Sequence, residues 1–389
     1  MAIPWLIVGA GLHGVHVARS LIERAGVDPA NIALLDEHET PLTRWLGQCT
    51  QVGMQTLRSP AAHHLDVPAH SLLRFAGQVD RARLAGRYRR PALDLFNRHA
   101  LHVVGTLSAC RYIQGRATDL QASGNGYALH WRRSSSEAGT VEANRVVLAT
   151  GPGAPAVPHW AGPGVQHVLA ENFRRQAVAN ARCPAVVGTG LSGAQLALSL
   201  ARPDRPVTLI GPPAPLSDFD SDPCFLGRRC LENFQALPDA QSRRAVIDTA
   251  RAPGSLPPIM AEALQRAAQD GRLRRIQARV NGWQDGLLHT DTDAAVRSDA
   301  VVLATGFEAS PPLQPWLAQA AKTLSMPVDA RGTPLPDAQL AWRPGLYVTG
   351  RLAELVVGPA APNIAGARLA ARRICAGQTG PAGPKNYGV

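Results

Sequence analysis

The feature that most restricts what this chain can fold into is a glycine turn that occurs twice, each time between a short apolar strand and a helical pattern. Pro4-Trp5-Leu6-Ile7-Val8 leads into Gly9-Ala10-Gly11-Leu12-His13-Gly14, a helical pattern runs from Val15 to Ala25, and Ile32-Ala33-Leu34-Leu35 ends on Asp36, 22 residues after Gly14. This predicts a βαβ unit with G-x-G-x-x-G at its first turn. Gly9 permits the tight turn, Gly11 lets the backbone approach a pyrophosphate, and Gly14 lets the helix pack on the strand. The helix N-terminus offers free N–H groups and a positive dipole to phosphate, and Asp36 is placed to accept from a ribose diol. His13, in the first helical turn, is expected to contact only cofactor or solvent.

The pattern recurs in Pro184-Ala185-Val186-Val187 followed by Gly188-Thr189-Gly190-Leu191-Ser192-Gly193, a helical pattern to Ala201 and a strand Val207–Ile210. The residue after that strand is Gly211. An Asp there would repel a 2′-phosphate, so its absence suits NADPH better than NADH. Arg228 and Arg229 lie downstream as candidates to meet that phosphate, with a solvated arginine pair as the simpler alternative.

Two further segments echo each other. Arg145 to Gly151 and Asp299 to Gly306 are buried-strand patterns ending in Ala-Thr-Gly, at Thr150-Gly151 and Thr305-Gly306. The alternating stretches before them, Tyr112 to Trp131 and Leu273 to His289, read as antiparallel meanders. A strand Gly345–Thr349, then Gly350-Arg351, a loop Gly358–Asn363 and a helix Ile364–Ala376 close the chain. The fold class expected is α/β, with two Rossmann-like dinucleotide-binding domains, each carrying a meander. The first domain is discontinuous: residues 1–155, with an insert at 42–100, and 299–376, around a second domain at 156–298 and before a flexible tail at 377–389.

Composition supports a globular chain. With 389 residues, 45% of them hydrophobic, the chain has ample material for a core. The net charge is +11, but the 40 basic residues, all Arg except Lys322 and Lys385, are scattered, and aromatics are only 5%, which argues against nucleic-acid binding. No window approaches the roughly 18 apolar residues of a membrane span. The first apolar stretch runs straight into a glycine turn, so a chain without a leader, working in the cytoplasm, is expected. The six cysteines show no C-x-x-C and no metal spacing. That argues against a dithiol redox centre and structural zinc, and makes free thiols the expectation.

Over nearly its full length the chain resembles the flavoproteins with two dinucleotide-binding domains, and within them the N-hydroxylating (ornithine/lysine type) and class B flavin monooxygenases. The pattern D-x3-[LF]-A-T-G-Y-x4-[HP] is matched by Asp299, Leu303, Ala304-Thr305-Gly306, Phe307 in place of Tyr, and Pro312. Trp45-Leu46-Gly47-Gln48 with Gly53-Met54-Gln55 is similar to the stretch beside the flavin. Ser221-Asp222-Pro223-Cys224-Phe225 is similar to the stretch after the second nucleotide-binding strand, and Asn363-Ile364-Ala365-Gly366-Ala367-Arg368 sits where such proteins open their last helix. The chain departs from the family at Gly350-Arg351, where Gly-Asp is common, and in a degenerate class B fingerprint (Trp160, Gly162, His167).

The resemblance implies FAD in the first domain and NADPH in the second. It also implies oxygenation of a nitrogen or sulfur of a small molecule by O₂ through a C4a-hydroperoxyflavin; a reductase or dehydrogenase of the same fold, without oxygen transfer, is the alternative. No metal is implied, and homo-oligomers are common in such enzymes. Active-site candidates lie in the insert Leu42 to Ala76. Gln55 would hydrogen-bond flavin or nicotinamide, or be a buried polar loop residue. Arg58 would clamp a substrate carboxylate, or be a surface arginine. His63 and His64 would line the pocket, or be structural. Trp45 and Met54 would pack the flavin or fill core. Asn363 would cap the last helix and face the flavin pyrimidine edge, while Gly350 and Ile364 border it.

Overall fold

The computed structural model describes residues 2–77, 80–292, 295–309, 311 and 313–378. Pro312 and the tail beyond Gln378 lie outside the described residues. The first unit comprises β1 (Ile3–Val8), α1 (Leu12–Ala25), β2 (Ile32–Asp36), α2 (Thr43–Val52), α3 (Leu93–Gly105), β3 (Arg111–Gln114), β4 (Arg116–Ser123), β5 (Gly126–Arg132) and β6 (Ala138–Leu148). The second comprises β7 (Gln166–His167), β8 (Pro184–Val187), α4 (Leu191–Leu200), β9 (Val207–Ile210), α5 (Arg228–Gln235), α6 (Ala240–Ala250), α7 (Pro258–Gln269), β10 (Leu273–Ile276), β11 (Val280–Gln284), β12 (Leu287–Thr290), β13 (Ala295–Arg297) and β14 (Ala300–Leu303). The chain then returns through β15 (Ala341–Arg343), β16 (Leu346–Val348), α8 (Glu354–Val357) and α9 (Ile364–Ala376). Among the described residues no helix is long and apolar enough to cross a membrane.

Two sheets carry the two glycine turns. The first runs β15-β16-β6-β1-β2-β3, with the β4–β5–β6 meander folded on its edge, and the second runs β10-β9-β8-β14-β7. The central strands are apolar on both faces because helices cover both: Leu6, Ile7, Val146, Val147, Val186 and Val302 are all fully buried. Three boundaries differ from the sequence reading. Tyr112 and Leu273 open no meander; they lie in β3 and β10, which add to their sheets in parallel, beside β2 and β9. β14 pairs with β8, so the second unit extends past residue 299 and the return comes after Leu303. Asp299 serves this join: its carboxylate accepts from the backbone N–H groups of Arg182, at 2.7 Å, and Cys183, at 2.8 Å.

Several arginines join the two units, while many others are exposed. Arg58 and Arg90 of the insert donate to the carbonyl of Asp218. Arg175 reaches Gln51 and Ser199. Arg351 donates to the carbonyls of Pro152, Glu308 and Ala309, the two crossover segments. At the deepest joint Glu354, with a side chain only 4% exposed, receives Arg244 on one oxygen and Arg251 on the other. Removing one partner of a buried ion cluster strands the remaining charges, which costs about 3–5 kcal/mol. Glu354→Ala is therefore expected to lower unfolding stability by that amount in urea titration; a loss below about 1 kcal/mol, the level of an exposed pair, would show that the joint does not hold the units together.

Candidate dinucleotide and active site

At the first turn Gly9 adopts φ +102, and a Cβ there would sit 2.3 Å from the Ala149 carbonyl oxygen. A Cβ on Gly14 would sit 1.8 Å from the Gly9 carbonyl oxygen. Both glycines are required by the protein's own backbone. Gly11 differs: it is the extended N-cap of α1, and a Cβ there meets nothing within 4 Å. The space in front of Gly11 is an open cradle faced by the first N–H groups of α1, as a pyrophosphate requires. Leu12 follows Gly11 as the first helical residue.

Asp36 stands beside this cradle. One carboxylate oxygen accepts from the Ala10 N–H at 2.6 Å, and the other from the His38 backbone at 3.0 Å and ring at 2.8 Å. Next to it a cleft of about 400 Å³ is walled by Glu37, His38, Arg116, Arg132 and Glu171. The sequence reading missed these residues, which β2, β4, β5 and the crossover segment bring together. Glu37, His38 and Glu171 approach one another closely enough for a cation. Arg116 already pairs with Glu37 at 2.5 Å, so they read as the wall of the cleft.

The second turn repeats the geometry. Gly188 has φ +118 with a would-be Cβ 2.5 Å from the Ala304 carbonyl oxygen, and that of Gly193 falls 1.8 Å from the Gly188 carbonyl oxygen. Gly190 is approached more closely than Gly11, its would-be Cβ lying 3.1 Å from Gly254 Cα. Leu191 and Ser192 open α4 behind it. A Cβ on Gly211, at φ +159, would stand 3.0 Å from the Thr189 methyl and 3.3 Å from its backbone N; crowding by Thr189 bears on this glycine independently of any choice of coenzyme. Arg228 is exposed on α5 and bonded to Glu232 at 2.6 Å, so a phosphate there would have to share it with that carboxylate.

Between the turns, Thr150 has a buried hydroxyl with no protein partner, while Gly151 and Gly306 take φ +82 and +79 with open space in front. Thr305 donates to the Ala156 carbonyl at 2.5 Å. Trp45 donates to Asn97 at 3.0 Å and packs edge-on against Phe96. Met54 fills space between the cores of the two units. Gln55 is exposed, its amide held only by a 3.5 Å contact to the Gly53 carbonyl. Ile364 is 6% exposed in the first turn of α9, and Gly350, at φ +66, lies beside the His13 ring.

Four other candidates take places that the sequence reading did not foresee. Arg58 clamps no ligand: its guanidinium donates to the carbonyls of Ser217, Asp218, Phe219 and Ser255. His64 is fully buried against the His99 ring, 5.4 Å between centroids, and neither of its ring nitrogens has a partner. Burial and the neighbouring Arg368 push its pKa down to about 2, so it is neither in the cleft nor able to carry a proton there. Asn363 is the N-cap of α9, but its side chain makes no capping bond; it donates to Asp220 of the second unit at 3.1 Å. His13 bridges the Thr349 hydroxyl, at 2.9 Å, and the Pro362 carbonyl, at 3.3 Å.

Asp220 is the residue the sequence reading missed. It stands where the insert, the second unit and the α9 cap meet. One carboxylate oxygen accepts from Asn363 at 3.1 Å. His63 faces it, with a pKa lowered to about 4 by burial and by Arg368, against the opposing pull of Asp220.

Residues 6–153 match the family model described as FAD-NAD(P)-binding. No curated protein matches the sequence. Among solved structures, the ornithine N-hydroxylase of Kutzneria sp. 744 is 18% identical, with TM-score 0.77 over 97% of this chain and 99% of that one. The chain has the fold of these flavoproteins. The cadaverine monooxygenase of Erwinia amylovora, solved with FAD bound, is 17% identical with TM-score 0.77, over 97% of this chain and 95% of that one. The bacillithiol disulfide reductase of Bacillus cereus aligns less well, at 16% identity and TM-score 0.62 over 97% and 99% of the two chains. The overlay spans both units in each case.

Proposed function

We propose that the protein is a FAD- and NADPH-dependent monooxygenase that oxygenates a nitrogen or sulfur of a small molecule. The observation that carries this is the pair of glycine turns on adjoining sheets, the first with open space in front of Gly11 and an unpartnered buried hydroxyl at Thr150. FAD held at the first turn would supply the redox and oxygen chemistry, with NADPH at the second turn as the reductant. The protein's own part is placement. The α1 N-terminus and Asp36 hold the FAD diphosphate and ribose, and the α4 N-terminus holds the NADPH diphosphate. The Asn363–Ile364 cap and Gln55 would border the flavin ring. The buried segment Pro359–Ala361 would keep water from it, and the Asp220 carboxylate would accept from an amine N–H.

A reductase without oxygen transfer is the second reading, supported by the likeness to the disulfide reductase. Rapid mixing of NADPH-reduced holoprotein with O₂, with NADP⁺ present, separates the two. A hydroperoxyflavin spectrum that persists before the oxidised spectrum returns, and product formation in a screen of amines and thioethers, is the expected result. Direct return to oxidised flavin without that species would favour the reductase.

A further inference from the structure

The sequence reading expected free thiols, yet Cys224 and Cys230, six residues apart with Cα atoms 5.7 Å from each other, are joined as a disulfide. Cys224 is exposed, in the 3₁₀ turn Pro223–Leu226. That turn is fixed by Asp222, which accepts from the Cys224 N–H at 2.8 Å, and by the Gly227 N–H donating to the Cys224 carbonyl at 2.9 Å. Cys230 is the third residue of α5, next to Arg228 and Arg229. A sulfur in the first turn lies near the positive end of the helix, and Arg228 and Arg229 add positive charge to the same turn, Arg228 being paired with Glu232. These surroundings stabilise a thiolate, and a stabilised thiolate is the better leaving group when a disulfide is attacked.

The far side of α5 packs on the segment that leads into the α9 cap. Phe234 is 2% exposed and packs with Phe225, Ile247 and Leu355. Leu231 and Phe234 both lie 3.7 Å from where a Cβ on Gly358 would stand. Gly358 opens the segment that ends at Asn363, with the Pro359 carbonyl held by Arg251 and the Pro362 carbonyl by His13.

We propose that Cys224–Cys230 is a reversible redox site, opened by a dithiol reductant of the thioredoxin class, and that α5 transmits its state to residues 358–363. A thiolate of the reductant attacks the exposed Cys224 sulfur, forming a mixed disulfide and releasing Cys230 as thiolate. The reductant's second thiol then displaces Cys224. The bond between the two cysteines gains two electrons, and the reductant leaves as its own disulfide. This inference does not depend on the monooxygenase reading.

Differential alkylation and mass spectrometry of the FAD-loaded full chain tests it. The pair is expected to resist alkylation as purified and to be alkylated after treatment with reduced thioredoxin. Once reduced, Cys230 should react about tenfold faster than the exposed Cys183 at neutral pH, and Arg228→Glu/Arg229→Glu should remove that advantage. Hydrogen exchange of the amides from 356 to 363 should quicken several-fold on reduction. The Cys224→Ser/Cys230→Ser variant should match the reduced wild type; should it fail to fold, the wild-type comparison decides alone. Alkylation without reductant, a pair that thioredoxin leaves closed, or unchanged exchange at 356–363 would each overturn the proposal.

Discussion

Gly11→Val is expected to yield a folded protein that retains no flavin, while Gly14→Val is expected to yield no folded protein at all. The two glycines belong to one motif and are three residues apart, yet their surroundings are opposite. A Cβ on Gly14 would lie 1.8 Å from the Gly9 carbonyl oxygen, deep inside contact distance, and both partners are backbone that cannot swing away. The helix would have to leave the strand, and the fully buried Leu6, Ile7, Val15 and Leu21 would lose their packing. A Cβ on Gly11 meets no protein atom within 4 Å. The valine therefore occupies only the space a pyrophosphate needs. It blocks N–H bonds to charged oxygens, each worth about 1.5–3 kcal/mol, so FAD affinity should fall at least about a hundredfold. Circular dichroism and flavin content after gel filtration read the two effects separately. A yellow Gly11→Val protein would remove FAD from the first turn.

The second large effect is loss of the fold in mild acid. His16, His64 and His99 are 2% exposed or less, and burial, assisted by Arg368 at His16 and His64 and by His102 at His99, lowers their pKa values to about 3, 2 and 4. Each folded value lies below the unfolded 6.5. Above pH 6.5 neither state binds these protons and stability is whole. As pH falls below 6.5 the unfolded chain takes up protons that the native state refuses. Stability then declines by about 1.4 kcal/mol per pH unit for each histidine, or about 4 for three. A net stability of about 5–15 kcal/mol would be consumed within a few pH units. That decline begins above the range in which carboxylates titrate. The unfolding midpoint in urea should drop steeply from pH 6.5 to 4. His64→Leu should flatten the drop at little cost at pH 8, because neither His64 ring nitrogen has a partner to lose. A pH-independent midpoint over that range would contradict the buried, neutral state of this cluster.

Both glycine turns were legible in the sequence because each follows an apolar strand and opens a helical pattern, and the steric demand at 14 and 193 comes from the carbonyls of Gly9 and Gly188 in the same turn; the demand at 9 and 188 comes from Ala149 and Ala304, which lie far along the chain. The helix Ile364–Ala376 was legible from its apolar spacing alone, and its bounds agree. The parts that were not legible depend on segments distant in sequence. Arg58 reads like a ligand clamp until the carbonyls of Ser217 and Ser255, some 160 and 197 positions away, close around it. Asn363 reads like a simple cap until Asp220, 143 positions away, takes its amide. His64 sits in a loop by pattern but in the core by packing. Cys224 and Cys230, the closest cysteines in the sequence, read as free thiols because their separation matches no familiar motif; only the turn of chain through Gly227 brings the sulfurs together.

The central claim is that the two turns hold a flavin and a nicotinamide close enough for hydride transfer. Anaerobic stopped-flow mixing of FAD-loaded protein with NADPH tests it most directly. The expected result is rapid, stoichiometric bleaching of the flavin absorbance in wild type, with none in Gly11→Val. Flavin that is bound yet stays oxidised in the presence of NADPH would contradict it.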